Sequence, residues 1–225
     1  MPRSKASRRP PLHNALVPSI AAYEMPGVSY TQENRVAWTL QPTRAALLVH
    51  DMQNYWVNRF ENPKVLLANC EALLNAARAV GMSIIYSVAR REARPEDRGL
   101  AYDMWGEGMG GDSSDPTDED VVPLLCPQNG DLVVEKHKYS AFFRTGLEDV
   151  LREKGIDQLL VAGVYAHHGC LLSAADAYMR DVKPFFIIDA VADHSEEQHL
   201  MTCRIVPSLC GQNVLTQQMI STMRG

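Results

Sequence analysis

Three side chains that could carry out chemistry stand at or just beyond the ends of apolar runs in this sequence. Asp51 directly follows "AALLVH", and Lys136 closes the run "LVVEK". Cys170 lies a few residues beyond "DQLLVAGV", with His167 and His168 beside it. A carboxylic acid, an amine and a thiol can serve proton transfer or nucleophilic catalysis. The pattern raises two hypotheses: a cysteine hydrolase built on Cys170, or an acid-catalysed reaction that needs no nucleophile.

Each of the three groups also has a purely structural explanation. Partly apolar surroundings favour the neutral acid form of Asp51, which can donate a proton near neutral pH, although an aspartate at a strand end also caps turns. Lys136 could hold Asp51 in place, whereas most lone lysines at strand ends face solvent. A helix N-terminus would lower the pKa of Cys170, but free cysteines often only pack in the core. Residue types alone leave these alternatives open.

The sequence does not favour a metal site. His167 and His168 are adjacent, so they cannot both point into one site, and a two-histidine metal face needs a helical i, i+4 spacing. The cysteines are odd in number, widely spaced and free of CxxC pairs, which argues against zinc and against a disulfide framework. We predict no metal and no cofactor, and a reducing cytoplasm suits these thiols. The five cysteines are Cys70, Cys126, Cys170, Cys203 and Cys210.

The elements that must position these groups alternate between strand and helix. Such alternation predicts an α/β fold of three layers, with a mostly parallel six-stranded sheet and helices on both faces. Ligands of such sheets bind beyond the carboxyl ends of the strands, where Asp51, Lys136 and residues 164–169 fall. Apolar runs predict strands at 45–51, 82–88, 131–137, 157–164 and 183–193, with a sixth short one within 213–221. Spacing and end signals predict helices at 63–81, 146–155, 170–181 and 195–209, the last with Ser195 as N-cap.

Composition limits the possible partners. The chain has 225 residues, 46% of them apolar, and a net charge of −5 from 22 basic and 27 acidic side chains. That size fits one domain, which we place at residues 36–225 after an irregular arm at residues 1–35. The charge balance predicts no nucleic-acid or membrane partner, and neither a ~20-residue apolar span nor a signal peptide is visible. Residues 89–117 form a Gly/Pro/charge-rich loop, and loops of that length are more often functional than idle.

Five motifs follow one another along the chain: "LLVHDMQNYWV", "DRGLAYDMWGEGM", "VVEKHKYSAFF", "GVYAHHGC" and "DAYMRDVKPFFIIDAVADHSEEQHLM". Together they resemble the isochorismatase branch of the isochorismatase-like hydrolase superfamily, in particular stand-alone isochorismatases and the aminodeoxyisochorismate-cleaving enzymes of phenazine-type pathways. The resemblance covers roughly residues 35–220. It implies a Rossmann-like fold, a small chorismate-derived substrate, no cofactor and a homodimer.

The resemblance also bears on the nucleophile. In the related cysteine hydrolases the catalytic cysteine occupies the position of Gly169, not that of Cys170. A catalytic site of Asp51, Lys136 and Gly169 is therefore implied, without a nucleophile. Asp51 would protonate the methylene carbon of an enolpyruvyl ether, and water addition would then release pyruvate. Lys136 would order Asp51 and hold a substrate carboxylate, while Gly169 would leave room for the pyruvyl group.

The turn after the fourth strand carries two further expectations from the resemblance. The peptide bond between Val164 and Tyr165 is expected to be cis. Backbone N–H groups near 165–169 are expected to polarise an oxygen of the substrate.

Substrate contacts are implied at seven positions, and one of them departs from the family pattern. The family usually carries Gln where this chain has Ala89, and that Gln contacts the ring substituent. Arg90 and Arg91 follow here, so either an arginine turns inward and binds an extra anionic group, or the pocket is merely larger. A cysteine hydrolase that uses Cys170 and a non-catalytic relative are the competing hypotheses. The seven positions are Gln53, Tyr55, Ala89, Arg98 (expected to bind a carboxylate), Trp105, Tyr139 and Tyr165.

Overall fold

A six-stranded sheet forms the centre of the molecule. The computed structural model describes residues 19–92, 94–111 and 114–225. The strands are β1 (Ala45–His50), β2 (Ser83–Ala89), β3 (Leu132–Lys136), β4 (Gln158–Val164), β5 (Lys183–Ala192) and β6 (Gln212–Val214). They stand in the order β3-β2-β1-β4-β5-β6, and every neighbouring pair is parallel. The α/β fold with a parallel six-stranded sheet is thus confirmed.

Helices connect the strands and cover the sheet. None of those in the described ranges is long and apolar enough to cross a membrane. Short 3₁₀ turns and one π-helical turn, Ala166–Cys170, complete the connections. The α-helices are α1 (Asn54–Val57), α2 (Lys64–Ala79), α3 (Pro95–Arg98), α4 (Leu100–Trp105), α5 (Leu147–Glu153), α6 (Leu171–Tyr178), α7 (Glu196–Leu209) and α8 (Thr216–Arg224).

Both faces of the sheet are buried, which explains the uninterrupted apolar run of β1. Successive side chains of a strand point to opposite faces. Leu47 and Val49 accordingly join the core beneath α2 and α8, whereas Ala46 and Leu48 join the core beneath α5, α6 and α7. The strand is fixed between two apolar layers, so the position of its carboxyl end is fixed as well.

The strand order creates a switch point at the middle of the sheet. The chain proceeds from β1 to β2 and β3 on one side and returns to β4 on the other side of β1. Ligand sites of open α/β sheets lie beyond the carboxyl ends of the strands at such a point. Asp51 follows β1 here, the Ala166–Cys170 turn follows β4, and Lys136 ends β3.

The predicted helices and strands are confirmed, and four further helices are present in the described residues: α1, α3, α4 and α8. The cap of α7 is present, since the Ser195 Oγ accepts a hydrogen bond from the Gln198 N–H at 3.3 Å. Residues 216–224 form α8, where only a short strand was predicted within 213–221. This helix buries Met219, Ile220 and Met223 against the core on the α2 side, at a spacing typical of an amphipathic helix. The loop expected at 89–117 contains α3 and α4.

Residues 19–44 lie along the body of the domain, although they contain little regular structure. Ile20 is buried and forms a bridge with Phe60. The Tyr23 hydroxyl accepts a hydrogen bond from the Asp193 N–H at 2.7 Å. Part of the predicted arm is therefore packed against the sheet and helices, and residues 1–18 of that arm lie outside the described residues.

At Gly163, β1 and β4 approach each other so closely that a side chain has no room. Its φ is +119°, and a Cβ there would overlap the His50 carbonyl oxygen and lie 2.7 Å from the His50 backbone nitrogen. We expect Gly163→Ala to abolish the soluble folded state, because neither backbone can move without breaking the central sheet. Gly81→Ala is the matched control, since Gly81 also has a positive φ, +68°, but no atom lies within 4 Å of the added Cβ.

In the control Gly81→Ala, the free energy of unfolding should fall by only about 1–2 kcal/mol, which is the cost of a left-handed conformation for alanine. Urea unfolding followed by circular dichroism measures both. Equal losses in the two variants would contradict the close approach at Gly163.

Candidate active site

A cavity of about 380 Å³ opens at the carboxyl edge of the sheet. Its volume lies within the usual range for small-molecule sites, roughly 300–1,000 Å³. Asp51, Lys136 and Gly169 all line it, and so do six of the seven positions predicted to contact substrate. The six are Tyr55, Ala89, Arg98, Trp105, Tyr139 and Tyr165.

Asp51 and Lys136 form a buried ion pair at the base of this cavity. The Lys136 Nζ donates to the Asp51 Oδ2 at 2.7 Å, and the two residues are only 5% and 9% exposed. Oδ1 of Asp51 has no hydrogen-bond partner within the described structure. Asp51 also has a φ of +49°, a conformation that is uncommon outside glycine and that concentrates at functional sites. Lys136 thus holds one carboxylate oxygen, and the other is buried without a partner in the described structure.

His50 fills the space where a nucleophile would stand. A Cβ at Gly169 would overlap the His50 ring and lie 2.5 Å from its Nε2. That ring cannot yield easily, because Nδ1 lies 3.0 Å from the Val164 carbonyl oxygen and Nε2 lies 3.0 Å from the Tyr139 carbonyl oxygen. Burial lowers the pKa of His50, whereas Asp51 and the two carbonyl oxygens act in the opposite direction. Position 169 therefore has no room for a side chain.

Cys170 lies in the core rather than in the cavity. It is 0% exposed, packs in the core on the α6 side, and does not line the cavity. Burial, with the nearby charges of Asp51 and Asp193, raises the pKa of the Cys170 thiol well above its usual value. Of the two alternatives for Cys170, the burial of the side chain favours packing in the core. A buried neutral thiol is a poor nucleophile.

Gln53 is the one predicted substrate contact that does not line the cavity. Its Nε2 donates to the carbonyls of Ala89 and Glu119 at 3.0 and 2.8 Å, and its Oε1 accepts from the Ala89 N–H at 2.8 Å. The side chain is 1% exposed. Its amide thus fixes the end of β2 and is not available to a ligand.

The two arginines after Ala89 do not turn into the cavity as a pair. Arg90 Nε lies 3.1 Å from Glu135 Oε2, and its side chain is 48% exposed at the cavity edge. Arg91 is exposed and donates to the Asp115 carbonyl and the Ser114 hydroxyl. With both guanidinium groups engaged elsewhere, the geometry favours the larger pocket over an arginine that contacts the substrate.

Arg98 supplies a positive charge that the described residues do not neutralise by an ion pair. Its Nε donates to the Gly106 carbonyl at 2.6 Å, and a Cβ at Gly108 would lie 2.6 Å from its Nη1. Burial lowers the pKa of Arg98, against the opposing effect of Tyr55 and Glu92. A partly buried guanidinium without a carboxylate partner is suited to bind a carboxylate of a ligand.

Aromatic side chains close the remaining walls. Trp105 Nε1 donates to the Tyr139 hydroxyl at 2.9 Å across the mouth of the cavity. Tyr165 is anchored by its hydroxyl, which donates to the Trp56 carbonyl at 3.2 Å. Tyr55 stacks edge-on against Trp56. The cavity therefore presents flat apolar surfaces around its few charged groups.

The turn after β4 combines a cis peptide with internally bonded N–H groups. The Val164–Tyr165 bond is cis, as the resemblance implies. The His167 N–H donates to Asp193 Oδ2 at 2.7 Å, and the His168 N–H donates to the Tyr165 carbonyl at 3.2 Å. These two N–H groups are therefore not available to polarise a substrate oxygen, so the expectation applies only to the other N–H groups near 165–169.

Sequence reasoning did not assign His50, Asp193 or His194 to the site. His168 and His194 line the cavity, and Asp193 lies beneath them, bonded to His167. The sequence offers only a weak signal for this arrangement, the acidic residue and histidine that directly follow β5. In the part of the chain that the structure describes, no cluster of three or more His, Cys, Asp or Glu is placed to hold a metal.

Comparisons with known proteins agree with this geometry. A family model described as "Isochorismatase domain" matches residues 45–218. The isochorismatase of Bacillus subtilis (strain 168) is 40% identical over 212 residues, covering 92% of this chain and 67% of that protein. Phenazine biosynthesis protein PhzD of Pseudomonas fluorescens is 38% identical over 206 residues, covering 91% and 98%. A crystal structure of a cysteine hydrolase from Pseudomonas syringae shares the fold, with a TM-score of 0.78, 24% identity, and coverage of 84% and 96%.

The burial of Cys170 predicts an unreactive thiol. In native protein at pH 8, iodoacetamide should label the exposed Cys126 and leave Cys170 unlabelled, because Cys170 is both inaccessible and protonated. Peptide mass spectrometry after a timed reaction measures both sites, and protein denatured in urea serves as the control in which both must react. Native labelling of Cys170 as fast as that of Cys126 would restore the cysteine-hydrolase hypothesis.

Proposed function

The chain belongs to the isochorismatase family and is an isochorismatase-type hydrolase, and on that premise we propose that it cleaves the enolpyruvyl ether of isochorismate or 2-amino-2-deoxyisochorismate. The products are pyruvate and a dihydro-hydroxybenzoate or dihydro-hydroxyanthranilate. On this proposal, the enzyme acts in secondary-metabolite biosynthesis. The single-domain boundary at residue 36 and the homodimer remain predictions.

The observation that supports this chemistry best is the filled nucleophile position beside an intact acid. The His50 ring occupies the space of a side chain at Gly169, and Cys170 is buried behind it. A covalent mechanism through either position thus lacks a reactive atom in the cavity. Asp51 and Lys136 remain, and an acid–base pair suffices for hydrolysis of a vinyl ether, which is initiated by protonation of carbon.

Asp51 carries out the first step on this proposal. In its neutral acid form Asp51 carries a proton on Oδ1, the oxygen without a protein partner in the described structure, and delivers it to the methylene carbon. The electrons of the carbon–carbon double bond form the new C–H bond and leave an oxocarbenium ion. Water adds to that carbon, and the hemiketal collapses by breaking its bond to the ring oxygen. The ring oxygen leaves as a hydroxyl group, and the former enolpyruvyl group leaves as pyruvate.

Two cations can hold the carboxylates of such a substrate. Lys136 lies at the base of the cavity against Asp51, and Arg98 lines its wall without an ion-pair partner within the described ranges. Aromatic walls from Trp105, Tyr139 and Tyr165 suit the flat cyclohexadiene ring. The name of the Bacillus subtilis relative gives isochorismate as the compound on which that protein acts.

The role of Asp51 is tested by Asp51→Asn and Asp51→Ala. The asparagine variant keeps the shape of the side chain but carries no transferable proton. We expect kcat for pyruvate release to fall by about 10²–10⁴-fold, the usual contribution of general acid catalysis. A lactate-dehydrogenase-coupled assay with each substrate in turn measures the rate, and also identifies which of the two the enzyme accepts.

Circular dichroism must accompany that assay, because Asp51→Ala leaves Lys136 buried without its partner, which costs about 3–5 kcal/mol. A folded Asp51→Asn protein that keeps more than about a tenth of the wild-type kcat would assign the acid to another group.

The larger pocket at Ala89 leads to a separate expectation. Ala89→Gln restores an amide that can contact the ring substituent, and one hydrogen bond is worth roughly 0.5–1.5 kcal/mol. KM should fall by roughly 2- to 12-fold, since each 1.4 kcal/mol is tenfold. Arg90→Ala should leave KM nearly unchanged, because Arg90 already pairs with Glu135. A strong rise of KM in Arg90→Ala would instead show that an arginine contacts the substrate.

A further inference from the structure

Two histidines form the cavity wall on the β4–β5 side of Asp51. His168 stacks on Tyr139 with ring centroids 5.2 Å apart, and His194 stacks on Tyr165 at 3.9 Å. The centroids of the two imidazoles are 5.4 Å apart. His168, His194 and Asp51 all line the same cavity. The pair therefore faces the space in which the proposed acid would act.

The ring nitrogens of this pair are free for a ligand. Within the described structure, neither the His168 ring nor the His194 ring makes a hydrogen bond to protein. Burial and the neighbouring His167 and His194 lower the pKa of His168 to about 4. Burial also lowers the pKa of His194. Both rings are neutral at pH 7, and each then offers one donor and one acceptor nitrogen.

Asp193 fixes the backbone next to His168 and His194 through hydrogen bonds to His167 and His194. Its Oδ1 accepts hydrogen bonds from the His194 N–H at 2.8 Å and from the His167 Nδ1 at 2.7 Å. Its Oδ2 accepts from the His167 N–H at 2.7 Å. One carboxylate thus ties the turn after β4 to the end of β5, so that the imidazoles are positioned before a ligand arrives.

The other carboxylates that line the cavity each pair with a neighbouring side chain through one oxygen. Asp51 is committed to the methylene carbon as the acid, and its Oδ2 is held by Lys136. Glu92 pairs with His137 at 2.9 Å. Water that adds to the oxocarbenium carbon must lose a proton, and the ring oxygen must gain one when the hemiketal collapses. Asp51, ionised after the first step, can accept one proton at a time, so a second group allows the proton of the attacking water to be carried separately.

We propose that His168 and His194 bind the attacking water and that one of them accepts its proton, an inference that rests on the proposed function. As the water oxygen bonds to the oxocarbenium carbon, its O–H electrons stay on oxygen and its proton passes to an imidazole nitrogen. The hemiketal hydroxyl then returns a proton to Asp51 as the new carbonyl forms. The departing ring oxygen takes the proton from the imidazolium. The enzyme is thereby restored, and no further reactant is needed.

A weakly basic imidazole is adequate for this role. Water bonded to an oxocarbenium ion is a strong acid, so even a group of low basicity can remove its proton. Unlike a more basic histidine, such a group is unprotonated at neutral pH. A general base acts best when it is in the correct protonation state at the working pH.

The test uses His168→Phe, His194→Phe and the double variant in D₂O. Phenylalanine keeps a ring against Tyr139 and Tyr165 but removes the nitrogens. If water capture is slowed, the oxocarbenium ion has time to return its proton, and deuterium should appear in the methylene group of unreacted substrate. Mass spectrometry of recovered substrate measures this exchange. The double variant should lose about 10²-fold in kcat, at the low end of general acid–base effects, with KM changed less than about threefold.

His168→Asn provides the rescue control, because its amide restores an acceptor oxygen, and it should show less exchange than His168→Phe. Unchanged kcat in the double variant, or a lower kcat without deuterium in the recovered substrate, overturns the inference and leaves the proposed function intact. Wild-type protein that releases no pyruvate from either substrate overturns the proposed function, and this inference with it.

Discussion

The buried ion pair between Asp51 and Lys136 is the interaction on which the site depends. Two charges withdrawn from water cost several kcal/mol each, and such a pair persists only where the geometry is good. The parallel sheet supplies that geometry, because β1 and β3 end at the same edge although β2 lies between them. Only one carboxylate oxygen is used by the pair, which leaves the other buried and without a protein partner in the described structure. The same pair that is costly for folding therefore holds the carboxyl group that we propose as the acid.

A second constraint decides which chemistry the acid can serve. The fold is shared with a cysteine hydrolase, so the sheet and the turn after β4 do not by themselves exclude a thiol. The His50 ring does so here, since it occupies the space that a side chain at position 169 needs. Its two contacts to backbone carbonyls join the ends of β1, β3 and β4. The packing of one histidine thus fills the space that a side chain at position 169 would need.

The irregular N-terminal segment contributes to the site from a distance. Tyr23 accepts a hydrogen bond from the Asp193 N–H, and its hydroxyl lies 3.1 Å from His199 Nδ1 of α7. Asp193 in turn fixes the turn that carries His167 and His168. A segment with almost no secondary structure is therefore connected through one buried carboxylate to the cavity wall. Its packing is part of what positions that wall.

The sequence by itself determined the order of strands and helices, because continuous apolar runs and helical spacing are local signals. Apart from the family resemblance, it also placed Asp51, Lys136 and the 164–169 turn at one edge of the sheet, since parallel strands end together. Only the tertiary structure decided that the Gln53 side chain bonds to backbone groups at the end of β2 and that Cys170 is buried in the core. It also decided that α8 packs on the same face of the sheet as α2. These outcomes depend on contacts between residues far apart in the chain, such as His50 with Gly169, and no local pattern specifies which side chain fills a shared space.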